Sequence, residues 1–453
     1  MAKNGTSTAV MQDDILPIPS NSEASLGYER KEYHGWRIRI LYSVILGYAT
    51  FYFCRQNFNI AMPALMDEFG VTNTQLGWAV TSAGIVYGIG KFINGFISDK
   101  SNARYFMPLG LAASAAITLL SGFSTSILMI GLLWILNNWF QSMGWPPVAR
   151  MLTHWFAPKE LGTKWALGAT SHQVGGAITM VVCGYLVEEF GWQSAFYVPA
   201  VIAFAIALLL IDRLRDSPKD VNLPTVEHYK GDDLHKLHED SHLPTSELLK
   251  KVFVNKLMWC ICMANMFLYI VRLGVISWAP MFLRDLRGMS LSKAGWQVAS
   301  YEILGLAGGL VAGWVSDKLF QGRRGPVGAV YMVALAGTLL LFWMMPKGYD
   351  FLSLITMTLV GFFVYGPQVL VGVASADFAT KRAIGTANGL ASAFAYLGSS
   401  IAGGVTVGWI VDHYGWDWVF VFFIIAALVG SLFFGLTWNY NANGRRAKKK
   451  SID

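Results

Sequence analysis

Gly95-Phe-Ile-Ser-Asp99-Lys100 and Gly313-Trp-Val-Ser-Asp317-Lys318 are one six-residue pattern written twice, at an offset of 218 residues. Each copy closes a long apolar run, so the pattern marks the same loop in two similar parts of the chain. Two further repeats keep nearly the same register. Val187-Glu-Glu-Phe-Gly191-Trp192 returns as Val411-Asp-His-Tyr-Gly415-Trp416 at an offset of 224, and Tyr52-x-x-Arg55 with Pro63 returns as Tyr269-x-x-Arg272 with Pro280 at 217. Three matched features near one offset imply a duplicated unit.

What is duplicated follows from composition. Of 453 residues 54% are hydrophobic and 14% charged, against about a quarter charged in a soluble domain. Apolar runs of membrane-crossing length begin near Ile40, Leu76, Phe106, Ile127, Trp165 and Ala195, and again near Val254, Gly295, Gly328, Leu354, Ala387 and Trp418. The expectation is an all-α membrane protein with twelve transmembrane helices in two pseudo-symmetric six-helix halves. Residues 1–35 are read as a cytoplasmic tail, 36–212 as the first half, 213–251 as a polar connector, 252–439 as the second half and 440–453 as a basic tail. No short basic region and cleavage site open the chain, so no signal peptide is expected.

Lysines and arginines set the orientation. Lys100, Arg104, Lys159, Lys164, Lys318, Arg323, Arg324, Lys381, Arg382 and the Arg445 to Lys450 tail fall on one side with the connector. Both termini are therefore expected in the cytoplasm, with the chain in the inner (plasma) membrane as a monomer. The net charge of +7 is spread over these loops and the tail rather than gathered in a stripe, so nucleic acid is not expected as a partner. Cys54, Cys183, Cys260 and Cys262 all lie in apolar runs and read as packing residues, not as a disulfide frame or zinc site. His235, His238 and His242 read as solvated connector residues. Neither a cofactor nor a metal is implied, and the absence of a Walker A loop, a zinc-protease helix or a nucleophile elbow argues against an enzyme. Glycines from Gly305 to Gly313 lie in an apolar span and serve close helix packing.

The chemistry sits in a few polar residues inside apolar runs. Arg55 and Arg272 lie roughly 12 to 16 Å of helix from the nearer end, too deep to snorkel easily. An arginine there must face a partner or a wet cavity. Equal offsets place both at similar depth, and two planar five-donor forks facing one cavity suit a phosphate dianion. The other reading pairs them with carboxylates on other helices, Glu302 foremost. Tyr48 and Tyr52 share the Arg55 face, and Tyr269 repeats Tyr52 beside Arg272. His172, in Thr170-Ser-His-Gln-Val-Gly-Gly176, is read either as a packing residue or as a proton-linked donor to phosphate. Lys91 lines the cavity or snorkels to the cytoplasm. Asp99, Lys100, Asp317, Lys318 and Glu302 are candidates for gating or structural roles, Glu302 by pairing with a buried cation. Asn57 and Asn59 offer amides to a sugar, although two residues apart they cannot both face one cavity fully.

These residues resemble the major facilitator superfamily, whose loop signature is similar to Gly95-x-x-x-Asp99-Lys100 and to Gly313 to Lys318 followed by Gly322-Arg323-Arg324. The first copy departs from that pattern, with Asn102-Ala103-Arg104 where a Gly-Arg-basic run is usual. More closely, Tyr52-Phe-Cys-Arg55-Gln-Asn-Phe-Asn-Ile-Ala-Met-Pro63, Gly90-Lys91-Phe92, Ser98-Asp-Lys-Ser-Asn102, Ser171-His172-Gln-Val-Gly-Gly176 and Tyr269-Ile-Val-Arg272 resemble the organophosphate:phosphate antiporters. The resemblance runs from about Gly35 to the end of the last span. It implies that Arg55 and Arg272 bind phosphate and that His172, Lys91, Tyr48, Tyr52 and Tyr269 line the pathway. It implies a carrier exchanging a sugar phosphate, glucose 6-phosphate first, for inorganic phosphate. Glycerol-phosphate carriers and a receptor-like sensor of hexose phosphate belong to the same family and are the rival readings.

Overall fold

The computed structural model describes residues 23–226, 252–378 and 384–440. The connector histidines, Lys381, Arg382 and the basic tail lie outside them. The first half holds α1 (Glu23–Phe69), α2 (Asn73–Lys100), α3 (Ala103–Gly122), α4 (Ile127–Gln141), α5 (Trp145–Trp155), α6 (Pro158–Phe190) and α7 (Ser194–Arg213). The second holds α8 (Lys256–Arg287), α9 (Leu291–Lys318), α10 (Arg324–Met344), α11 (Asp350–Asp377), α12 (Ile384–Ser400), α13 (Thr406–Tyr414) and α14 (Trp416–Leu436). Two rods are broken. Pro146 and Pro147 lack the N–H that would continue α4, so α5 starts afresh. A π turn, Ile401–Val405, separates α12 from α13. Joining each broken pair gives twelve rods among the described residues, six to a half.

Nine of the described helices are long and apolar enough by composition to cross a membrane. Their outer faces are apolar too: Leu310 is 75% exposed and Leu432 69%. Such faces are stable only against lipid. This is an integral membrane protein built of two six-rod halves.

The two halves touch at the end of the bundle that carries the 70–72 loop. There the repeats from the sequence meet in crossed pairs. Asp412 of α13 accepts from Asn73 N (3.1 Å), Asn73 Nδ2 (2.9 Å), Thr74 N (2.7 Å) and Thr74 Oγ1 at the start of α2. Its sequence mate Glu188 of α6 accepts from Ser292 N (2.9 Å) at the start of α9. Each half thus caps a helix of the other, satisfying N–H groups that have no partner within their own helix. Close approach makes this possible: a Cβ on Gly77 would strike the backbone of the π turn and one on Gly408 that of α2, while one on Gly184 or Gly295 would strike that of α9 or α6. Arg284 adds an ion pair to Asp67 (2.7 Å) between α8 and α1. Slightly deeper, Thr81 Oγ1 donates to Ser400 O (2.7 Å) and accepts from Val405 N (2.8 Å), so a side chain of α2 is inserted where the rod takes its π turn.

Toward the other, basic end the halves part. A cavity of about 760 Å³ opens between α2 and α12, with Lys91, Asp99, Trp145, Asn388 and Tyr396 among its walls.

Candidate functional site

Midway between the closed and open ends, eight side chains form a closed ring. The Arg55 guanidinium lies over Tyr87 (3.9 Å) and Tyr52 (5.3 Å). Tyr87 packs on Tyr396 (5.2 Å), and Tyr396 on Tyr269 (5.7 Å). Arg272 lies over Tyr269 (5.2 Å) and Tyr365 (5.0 Å). Tyr365 neighbours His172 (6.2 Å), and His172 closes the circuit on Tyr52 (5.7 Å). The two arginines occupy opposite positions, each flanked by tyrosine faces whose negative quadrupoles favour a cation. Both halves contribute four members. Lys91 stands over Tyr396 (5.1 Å), and Tyr48 supports Tyr52 (5.8 Å) and Trp145 (5.1 Å).

The arginines differ in their partners. Arg272 donates to Tyr365 Oη (3.2 Å), and Tyr365 donates in turn to Glu302, a fully buried carboxylate. The pairing expected with Glu302 is thus relayed through a hydroxyl, and the Nε of Arg272 is left buried without a partner. Gly176 packs against the Glu302 carboxylate from the other half, its absent Cβ 3.5 Å from Oε1. Half-buried Arg55 makes no hydrogen bond or ion pair with any described residue. It borders a small cavity of about 80 Å³, together with Gln56, Asn59, Asn138 and Tyr396. Arg55, Arg272 and Lys91 against Glu302 leave two positive charges in excess. A doubly charged anion balances them.

His172 Nδ1 donates to the Ala169 carbonyl, which leaves Nε2 buried and without a partner among the described residues. In the neutral imidazole that nitrogen carries a lone pair and accepts a proton donor. Asn57 is turned away, donating to Ala195 O (3.1 Å), whereas Asn59 donates to Gln56 Oε1 (2.7 Å) at the wall of the small cavity.

The candidates for gating or structural roles, Glu302 apart, are spread along the basic end. Asp317 pairs with Arg324, which also binds Asp377 (3.1 Å) and so ties α9, α10 and α11 together. In the first half the corresponding tie is Arg150, bound to Asp216 (2.8 Å) and donating to the Ser98 (3.1 Å) and Asp99 carbonyls. The Asp99 side chain instead faces the large cavity. Lys100 and Lys318 are exposed, Lys100 over Phe96 (4.2 Å).

Tyr87, Tyr365 and Tyr396 complete the ring but did not stand out in the sequence. One signal existed for Tyr396: it lies 224 residues after His172, the offset that relates Glu188 to Asp412.

Comparison with known proteins gives the same architecture. The Major Facilitator Superfamily profile matches residues 44–403. A "Probable hexose phosphate transport protein" of Chlamydia pneumoniae is 39% identical over 432 residues, covering 92% of this chain and 95% of its own. The glycerol-3-phosphate transporter of Bacillus subtilis (strain 168) is 36% identical, covering 92% and 95%. The membrane sensor protein UhpC of Escherichia coli (strain K12) is 38% identical, covering 88% and 92%. A solved structure of a bacterial homologue of the human lysosomal transporter Spinster, inward-facing and occupied, superposes with a TM-score of 0.72 at 14% identity, covering 89% of this chain and 97% of that one. The chain belongs to the major facilitator superfamily, and within it to the organophosphate:phosphate antiporter family.

Proposed function

We propose that this protein exchanges a sugar phosphate, glucose 6-phosphate foremost, for inorganic phosphate across the plasma membrane, by rocking its two halves about the ring. The reading rests on one observation above all: two guanidiniums occupy opposite positions in a ring built equally from both halves, and neither is in a direct ion pair with a carboxylate among the described residues. A phosphate dianion bridging them draws the halves together and neutralises the excess charge. Without it two cations stay incompletely paired, and each 1.4 kcal/mol this adds to the rocking barrier slows return of the empty carrier tenfold. Obligatory exchange follows. His172, Lys91, Tyr48, Tyr52 and Tyr269 line the path, and the Asp317 and Arg150 clusters tie helices at the basic end. With both termini in the cytoplasm, the described state faces the cytoplasm, and the carrier works as a monomer.

The preference for hexose is supported by the Chlamydia relative and by the amides of Gln56, Asn59 and Asn138 beside Arg55. The decisive measurement is inhibition of labelled phosphate exchange in vesicles holding the purified protein. Glucose 6-phosphate should outcompete glycerol 3-phosphate about tenfold, the worth of one or two hydrogen bonds. Free glucose should be nearly inert. The reverse order of the two esters would make this a glycerol-phosphate carrier. The similarity to UhpC supports a second reading, a receptor that binds the same ligand: it would bind glucose 6-phosphate without sustained exchange.

A further inference from the structure

At the basic end of the first half, four guanidiniums gather around the last turn of α7. Arg39 donates to Asp212 O (3.0 Å) and Oδ2 (2.8 Å), and Arg213 Nε sits 3.2 Å from the same carboxylate oxygen. Arg104 Nε donates to Ile211 O (3.0 Å), and Arg215 to Asp212 O and Leu214 O (2.7 Å each). A helix C-terminus attracts cations, and its carbonyls account for part of this gathering. They do not account for all of it. Asp212 is the one carboxylate in contact with these four side chains among the described residues, because Asp216 is taken by Arg150. Four charges thus face one carboxylate and roughly half a charge of helix dipole. None of the four guanidiniums grips the carboxylate through two nitrogens, and Arg39 Nε is buried without a partner among the described residues. Burial, and then the neighbouring Arg104 and Arg39, hold Arg215 below the ordinary arginine range.

The surroundings say which anion fits. Trp36 lies between Arg39 (4.6 Å) and Arg215 (5.2 Å), Tyr105 lies under Arg104 (5.1 Å), and Tyr42 Oη accepts from Arg213 (3.4 Å). Tryptophan and tyrosine with arginine at a helix end mark headgroup depth. Directly beside them Ile38, Tyr105, Leu109 and Leu208 are between 53% and 62% exposed, on the face that meets acyl chains. We infer that Arg39, Arg104, Arg213 and Arg215 form a binding site for the phosphodiester of an anionic phospholipid, with its chains lying along α3 and α7. A phosphatidylcholine headgroup carries its own ammonium and gains less from the cluster. Basic pockets between helices at a cytoplasmic surface are suited to anionic headgroups. The inference is independent of the substrate, since this cluster lies at the bundle's outer surface and shares no residue with the ring.

The test is native mass spectrometry of the purified full chain, taken from nanodiscs holding equal phosphatidylglycerol and phosphatidylcholine. Wild-type protein should keep phosphatidylglycerol over phosphatidylcholine about tenfold, and R39Q/R215Q should lose that preference while keeping its melting temperature in pure phosphatidylcholine. R213Q, which leaves the bonds to the α7 carbonyls in place, should lose part of it if the double variant fails to fold. Equal retention of the two lipids by wild type, or an undiminished preference in both variants, would overturn the inference. So would stripping of the retained phosphatidylglycerol by millimolar inorganic phosphate, which would mark the cluster as a site for small anions.

Discussion

On the proposed function, arginine suits the ring better than lysine by its shape. Its fork can hold two phosphate oxygens at once while its flat face rests on a tyrosine, whereas lysine brings the same charge as a single point. Arg55→Lys and Arg272→Lys should each lower phosphate exchange about tenfold to a hundredfold, the worth of one or two charged hydrogen bonds. Near wild-type exchange in both variants would rule out the two-arginine site. Arg272 also depends on a hydroxyl that sequence reasoning passed over. Tyr365→Phe strands the buried Glu302 carboxylate, so the thermal stability of the purified protein should fall by about 1–3 kcal/mol, and adding Glu302→Gln should recover part of it. A Tyr365→Phe protein as stable as wild type would show the relay to be idle. The difference between what could be read and what could not is instructive here. Arg55, Arg272 and His172 were legible because a charge or imidazole in an apolar run requires a reason. Tyr365 and Tyr87 were not, because a tyrosine in a membrane helix is ordinary and its hydroxyl partner is a matter of packing. Glu302 was legible as one example of a carboxylate partner, and the Tyr365 hydroxyl that lies between it and Arg272 was not.

Among the elements, α2 and α9 are held at their starts by carboxylates from the opposite half. Removing one should loosen the closed end without touching the ring. In Asp412→Ala, four hydrogen bonds to the α2 start are lost, while Thr72 still caps Gln75 N (3.3 Å). We expect the population open at that end to rise about tenfold, consistent with roughly 1–2 kcal/mol for charged bonds at a partly wet helix terminus. The measurement is the rate at which an impermeant maleimide labels a cysteine placed at Ser277, in the wall of the small cavity. An unchanged rate would show that the glycine contacts alone keep the end shut. Gly408→Ala should act in the same direction, since the new methyl would meet the Asn73 carbonyl. The helices themselves were readable from apolar length, but these contacts were visible only as a repeat: Val187 to Trp192 and Val411 to Trp416 matched with no sign of what they touched. The break between α4 and α5 was written in Pro146 and Pro147. The π turn was not, because it depends on Thr81 arriving from another helix.

For the molecule as a whole, three devices have a twin or a counterpart in the other half: Arg55 and Arg272, His172 and Tyr396, Glu188 and Asp412. The fold was legible at this scale because lipid enforces long apolar helices and duplication doubles every signal. Which end is shut was not legible, since the same sequence must support both states. The crossed caps carry a further consequence for how the gene can be cut. Neither cap depends on the covalent path from 213 to 251, for each carboxylate reaches its helix through space. α1 begins and α14 finishes at the basic end, where α7 also finishes and α8 begins. A circular permutant opened within the connector, with its present ends joined by a flexible linker, should therefore assemble the same shut end and exchange phosphate at a rate close to the parent's. The order of the halves along the chain would then be an accident of ancestry, and translation could begin with either.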